Sequence, residues 1–424
     1  MGQDRSVSWA YFTVSLVGLA FVVNAYTPIR RGILSVPSFF AGWPTSELPF
    51  QHIAWQVTAT AVFAWFGAFK HWPGWVGLGV TLVAWAGLVG LGAVAIRSRH
   101  VVSNALDTAG IRSGEGASGS GIAPSGGRDT MWRGLRLVLP FPLPGRVVRS
   151  IRNVDYHGEG TVKHRLDIIT RRQDPPSNAP VFVYVHGGGW VIGDKREQGL
   201  PMLFELARRG WVCVTINYRL SPRATWPDHI VDAKRAIAWV RTHIEEYGGS
   251  SDFIATGGGS AGGHLAALLA LTPCDPLFQP GFEDADTSVD ACLPFYGVPD
   301  LSGGGEDRKY ADGLVKLLED RIFKVSMADD PELFRQASPV HRVNAAAPPF
   351  LVVQGLNDTL VPFEEARRFV DALGDVSKSP LVYVELPRTQ HAFDVLPSIR
   401  SAHVVAGAVR FLEAIRRMPP KPAG

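Results

Sequence analysis

The sequence predicts a layered α/β domain, a mostly parallel sheet with helices on both faces, preceded by about three membrane-spanning helices. Three observations carry this expectation. Apolar strand-like runs alternate with helical stretches from about residue 150 onward. Three long runs within the first 96 residues contain no Asp, Glu, Lys or Arg. Charged residues make up only 19% of the 424 and hydrophobic ones 46%, a charged share below the quarter typical of soluble domains, so part of the chain avoids water.

The charge-free runs are Ser6–Ile29, Leu48–Phe69 and Trp72–Ile96. Each can supply about 20 helical residues, the length that crosses a hydrocarbon core of roughly 30 Å. Spans are expected over 9–26, 50–69 and 74–96, within a membrane region 1–100. Short basic links (Arg30, Arg31; Lys70, His71) separate them. Trp9, Tyr11, Tyr26, Trp72 and Trp75 stand where interfacial aromatics stand. A second reading makes the first run a signal peptide, because Val23-Asn24-Ala25 resembles a small-residue cleavage site.

Residues 101–130 turn to Gly, Ser and Ala with no apolar period and read as a flexible linker between two independently stabilised parts. Residues 131–150 mix Trp132, Leu135, Leu137 and Phe141 with four arginines. Two readings stand there: a membrane-interface segment or a cap on the next domain. From Arg97 to Arg172 thirteen basic residues face six acidic ones. Positive charge beside span ends stays inside, so the expected topology is an integral, multi-pass membrane protein with the following domain in the cytoplasm. Cleavage of the first run would reverse that side.

The domain 151–418 begins with Val154–Tyr156 and Arg165–Thr170, an expected antiparallel edge pair. Apolar strands follow at Val181–Val185, Trp211–Ile216, Phe253–Thr256, Ala291–Phe295, Phe350–Val353 and Leu381–Glu385. Helices are expected at Asp228–Tyr247, Ala261–Leu271, Glu364–Leu373 and Ile399–Arg416. Continuous apolar strands interleaved with helices indicate a parallel sheet covered on both sides. The excursion 299–340 breaks the rhythm and reads as a lid.

Ser260 sits in Gly258-Gly259-Ser260-Ala261-Gly262, after a strand and before an apolar helix. A nucleophilic serine on a tight strand-to-helix turn needs small neighbours and gains from the helix N-terminus. His186-Gly187-Gly188-Gly189-Trp190 follows another strand. Its glycines let backbone N–H groups approach a developing oxyanion, each worth on the order of 3 kcal/mol. The expected hole is Gly188, Gly189 and Ala261, with His186 and Gly187 supporting the loop. No Lys-Ser or Lys-Thr follows, which argues against a phosphate loop. The base expected for Ser260 is His391, beyond the strand Leu381–Glu385. Its orienting acid is Asp358, beyond Phe350–Val353; Asp394, three residues from His391, is the rival. His264, one turn after the serine, reads as a packing residue.

These motifs and their chain order, Ser260, Asp358, His391, are similar to those of the α/β-hydrolase superfamily. The resemblance is to hormone-sensitive-lipase-like esterases with a His-Gly-Gly-Gly loop, and it covers some 60% of the chain. It implies an eight-stranded sheet, a small variable cap and carboxylic-ester hydrolysis through Ser, His and Asp. Gly259 stands where many members carry an acidic residue, and the loop continues Trp190-Val191-Ile192-Gly193-Asp194-Lys195. Both details resemble the acetylesterase and feruloyl-esterase branch and point to short- to medium-chain acyl esters. An amidase or peptidase with the same residues is the alternative, and a non-catalytic binding protein on a hydrolase scaffold is a more distant one.

The expected partners are a small-molecule or lipid ester and membrane lipids. No metal or organic cofactor is implied. Net charge of +3 without a concentrated Lys/Arg stripe excludes a nucleic-acid binder. Three scattered cysteines, Cys213, Cys274 and Cys292, are too few for a disulfide framework and fit a reducing compartment.

Overall fold

The computed structural model describes residues 2–30, 32–112, 147–173, 176–303 and 312–418. The front end contains α1 (Gly2–Tyr26), α2 (Ser35–Glu47), α3 (Pro49–Trp65) and α4 (Trp72–Thr108). Helices α1 and α4 run parallel. Trp9 meets Trp72 at one end, and the Tyr26 hydroxyl donates to the Gly87 carbonyl at 2.8 Å toward the other. Helix α3 returns between these ends, with the Tyr11 and Thr60 hydroxyls 3.1 Å apart. Val22, Ala25, Ala84, Leu88 and Leu91 form a small apolar core.

Among the described residues two helices, not three, are long and apolar enough to cross a membrane: Asp4–Tyr26 and Trp72–Thr108. The middle run falls short for a local reason. Its helix opens at Pro49 and ends at Trp65, giving 17 residues, about 25 Å at 1.5 Å per residue. The chain then turns through Ala68–Lys70.

The linker boundary also differs. Helix α4 continues through 101–108, because Val102 and Leu106 keep the helical period beyond the charged residues Arg97 and Arg99. Val102, Leu106 and Ile111 are buried in the same cluster as Val404, Val405 and Ala408 of the catalytic part. The front end is therefore docked on the rest of the chain. The remainder of the expected linker, 113–130, and most of the 131–150 segment lie outside the described residues.

The α/β part is β1 (Val148–Asp155), β2 (Arg165–Arg171), β3 (Ala179–Val185), α5 (Leu200–Arg208), β4 (Val212–Ile216), α6 (Asp228–His243), β5 (Gly249–Gly259), α7 (Ala261–Leu271), β6 (Ala291–Phe295), α8 (Asp312–Leu317), α9 (Pro331–Gln336), β7 (Phe350–Gly355), α10 (Phe363–Val376), β8 (Leu381–Leu386) and α11 (Ile399–Arg416). The eight strands form one sheet in the order β1-β2-β4-β3-β5-β6-β7-β8. β1 and β2 are antiparallel, β2 pairs β4 antiparallel, and β3 to β8 are parallel. Apolar side chains on the two faces form separate clusters, one under α6, α7 and α10 and one under α5 and α11. Burial on both faces explains why the central strands are continuously apolar. Helices α8 and α9 occupy the excursion expected to be a lid.

Two glycines test the packing. A Cβ on Gly407 of α11 would lie 2.2 Å from Val102 Cγ1, whereas one on Gly374 of α10 would meet only Leu381 Cδ2, at 3.8 Å. Gly407→Val should destabilise by about 1–3 kcal/mol through overpacking. Gly374→Ala should stabilise by roughly 0.5–1 kcal/mol through helix propensity. Thermal unfolding of both variants in detergent checks the pair.

Candidate active site

Strand β5 ends at Gly259 and helix α7 begins at Ala261, so Ser260 occupies the turn between them. Its backbone is held at φ 57°, ψ −124°, a region that L residues enter only under constraint. The constraint is crowding. A Cβ on Gly262 would lie 2.0 Å from the Val185 carbonyl oxygen and 2.6 Å from that of His186, so the turn can press against the end of β3 only if that residue is glycine. The Ser260 N–H donates to Phe295 O at 3.0 Å, and Ser260 O accepts from His264 N at 2.9 Å. The half-buried hydroxyl has no hydrogen-bond partner among the described residues.

The His186–Gly189 loop leaves β3 beside it. Gly188 has φ +117°, and a Cβ there would lie 2.1 Å from the Ile192 carbonyl oxygen. Only glycine fits that position. The N–H groups of Gly188, Gly189 and Ala261 have no hydrogen-bond partners among the described residues. Gly187 N–H is held by Gln198 Oε1 at 2.8 Å. His186 is buried, stacks on Tyr218 at 4.5 Å, and places Nδ1 2.7 Å from Gly187 O. Its carbonyl accepts from the Tyr218 hydroxyl at 2.9 Å. Burial lowers its pKa to about 4, which keeps the ring neutral.

Asp358 and His391 come from the loops beyond β7 and β8. Asp358 Oδ2 lies 2.7 Å from His391 Nδ1 and accepts from Gln354 Nε2 at 3.0 Å. Oδ1 accepts the N–H groups of Leu360 and Val361 at 2.8 and 2.9 Å. Three donors besides the imidazole face this buried carboxylate. Gln390 Oε1 joins the two loops by accepting Thr359 N–H and His391 N–H, each at 2.9 Å. The chain order of the motif reveals Asp358 and His391, but not Gln354, which reads as one more residue of a buried strand.

Asp394 stands apart from the imidazole nitrogens. It accepts the Tyr296 hydroxyl, and the Tyr296 ring lies 4.6 Å from that of His391. His264 is held by Trp190 Nε1 at 3.3 Å and by Ala337 O at 2.7 Å, and burial lowers its pKa to about 4. It packs beneath the serine turn. Elsewhere, His157, Glu159 and His164 bring possible ligand atoms within 4.8 Å of one another. The two imidazoles stack at 4.4 Å and 14°, so their in-plane lone pairs run side by side instead of converging on one ion.

The arrangement places a hydroxyl, unpartnered N–H donors and a carboxylate-linked imidazole at one end of the parallel sheet. Such an assembly suits acyl transfer. The BD-FAE family model matches residues 166–373. A probable carboxylic ester hydrolase of Mycobacterium tuberculosis, LipM, is 42% identical over 422 residues, 95% of this chain and 92% of its own. The chain belongs to the carboxylic ester hydrolases of the α/β-hydrolase fold. Esterase LipQ of the same organism is 47% identical to this esterase over 266 residues, 62% of each chain. The butyrate-bound esterase Est2 of Thermogutta terrifontis superposes with a TM-score of 0.53 at 26% identity, covering 65% of this esterase and 97% of its own chain. The match to LipM takes in the front end, whereas the match to LipQ spans under two thirds of that relative.

Burial lifts the Asp394 carboxyl to about 6 from an ordinary 3.8. Between those values the folded esterase binds more protons than the unfolded chain, so stability falls as pH rises, by on the order of 3 kcal/mol across the window. Asp394→Asn keeps an acceptor for Tyr296 and removes the titration. Its Tm relative to wild type should climb between pH 4 and pH 7 in thermal scans; a constant offset would exclude Asp394 as a group titrating there.

Proposed function

We propose that this carboxylic ester hydrolase is a membrane-anchored serine esterase acting on short- to medium-chain acyl esters, with Ser260, His391 and Asp358 as its triad. The observation that carries the reading is the 2.7 Å Asp358–His391 contact on the same sheet end as the strand-to-helix turn of Ser260. His391 Nε2 takes the Ser260 proton as Oγ attacks the acyl carbon, while Asp358 holds Nδ1–H and stabilises the imidazolium. The N–H groups of Gly188, Gly189 and Ala261 receive the oxyanion, pre-aligned and therefore without reorganisation at the moment of reaction. Collapse expels the alcohol with the proton from Nε2. Water, deprotonated by the same nitrogen, then releases the acid. His186 and Gly187 hold the loop that presents the donors.

Anchoring is assigned to α1 and α4, with the shorter α3 carrying the chain back between their ends. Because α1 and α4 run parallel and both lead toward the catalytic part, that part lies on the side opposite the N-terminus. Arg30, Arg97 and Arg99 stand at its end of the bundle, while at the far end lie Arg5 and Lys70, the latter paired with Asp4 at 3.2 Å. The charge bias favours a cytoplasmic catalytic part. Reporter fusions after Val102 that are active only when exported would overturn that side.

Ser260→Ala should lower turnover by about 10⁶ and Asp358→Asn by about 10⁴, with the fold retained. A fluorophosphonate should label wild type at Ser260 and leave Ser260→Ala unlabelled. Retention of more than a few per cent of activity in a clean Ser260→Ala preparation would refute the assignment. Paired ester and amide substrates of one acyl group test the reaction class.

A further inference from the structure

The front end does more than anchor the esterase: it touches the two loops that carry Asp358 and His391. Asn357 Nδ2 donates to Ala25 O at 2.8 Å, and Thr359 Oγ1 donates to Ser35 O at 3.1 Å. Arg30 donates to Leu356 O, and Arg388 Nη1 donates to Tyr26 O at 2.6 Å. Glu47, at the end of α2, is fully buried against Arg400 and accepts from Ser398 Oγ at 2.7 Å. Between these anchors Phe39 sets its ring edge-on to the His391 imidazole, with centroids 6.1 Å apart, and stacks on Trp43 at 5.6 Å. Phe39 itself is 7% exposed.

The same segment reaches the other side of the cleft. The turn Gly32–Leu34 lies beside the lid helix α8, whose Leu317 Cδ2 is 3.5 Å from where a Cβ on Gly189 would stand. The front end thus spans from the imidazole toward the oxyanion loop. Its outward side chains are apolar: Ile33 is 91% exposed and Phe40 61%. They follow directly on the catalytic-side end of α1, where a bilayer surface would lie.

Chemistry says which part of an ester belongs there. As the tetrahedral adduct collapses, the C–O bond to the alcohol breaks and His391 Nε2–H gives its proton to that oxygen, so the alcohol sits beside the imidazole. Together with Tyr296, α2 forms the wall beside the imidazole. Resting on the triad reading above, we propose that Phe39 is a specificity-determining residue for the alcohol. The preferred substrates are esters of a lipophilic, bilayer-resident alcohol with a short acyl group, entering and leaving past Ile33 and Phe40. This assigns the apolar part of the substrate to the leaving group and not to the acyl chain.

The test uses the full chain in detergent and in nanodiscs, with two ester series: acetates of ethanol through dodecanol, and ethyl esters of acetate through dodecanoate. Wild type should favour dodecyl over ethyl acetate in kcat/KM. Phe39→Ala should lower the dodecyl-to-ethyl acetate ratio about tenfold, the scale of a lost apolar contact, and leave the ethyl dodecanoate-to-acetate ratio within about twofold. Phe40→Gln, at an exposed position that supports no core, should lower the first ratio severalfold and decides the matter if Phe39→Ala fails to fold. An unchanged alcohol ratio in the variants, or a shift confined to the acyl series, overturns the proposal while fluorophosphonate labelling at Ser260 leaves the triad standing. Absence of that labelling in wild type overturns the triad itself, and the proposal with it.

Discussion

Gln390 and Asp358 tie together the loops beyond the paired strands β7 and β8, which the Asn357 N–H also joins by donating to Thr389 O at 2.9 Å. The Gln390 amide oxygen holds one N–H from each loop, and Asp358 gathers its own backbone and the imidazole around one carboxylate. Each bond is individually modest, about 1 kcal/mol net for a neutral pair and more where the acceptor is charged. Together they set the imidazole's direction. A nucleophile on a rigid strand-to-helix turn is useful only if its base arrives at a fixed angle, and these buried groups leave the base little freedom.

The front end adds a second restraint from outside the sheet. A buried ion pair such as Glu47–Arg400 is a poor source of net stability, because desolvating both charges offsets their attraction. Burial pushes the Glu47 carboxyl above its ordinary value in spite of the guanidinium beside it. Its worth is positional: an unpaired partner would cost about 3–5 kcal/mol, so α2 and the start of α11 stay in one register. That register in turn keeps Phe39 against His391. The front-end helices and the site architecture are therefore one piece of structure.

Much of this was legible in the sequence. The parallel strands announce themselves as apolar runs, and the ends of β5, β7 and β8 fall within a few residues of Ser260, Asp358 and His391, because turn chemistry and chain order are local signals. The front end was legible only as composition. Its charge-free runs marked the helices, yet the middle run does not reveal that Pro49 and Trp65 cut it to 17 residues. Gly and Ser after residue 110 concealed how far α4 continues. The contacts of Phe39 and Glu47 left no local trace. Their partners stand some 350 positions away, and a Phe in an apolar stretch looks the same whether it faces lipid or an imidazole.

That separation has a temporal side. Chains are synthesised at about 5–20 residues per second, so α2 is complete on the order of 20–70 s before the loop bearing His391 emerges. Throughout that interval Glu47 lacks Arg400 and Phe39 lacks His391, and the helices on either side of them have already left the ribosome. The last strand and the last helix consequently close the structure from both directions at once, completing the sheet edge and packing against a helix made tens of seconds earlier. An enzyme assembled in this order acquires its base, its acid and the α2 wall beside them together, in the final fifth of translation.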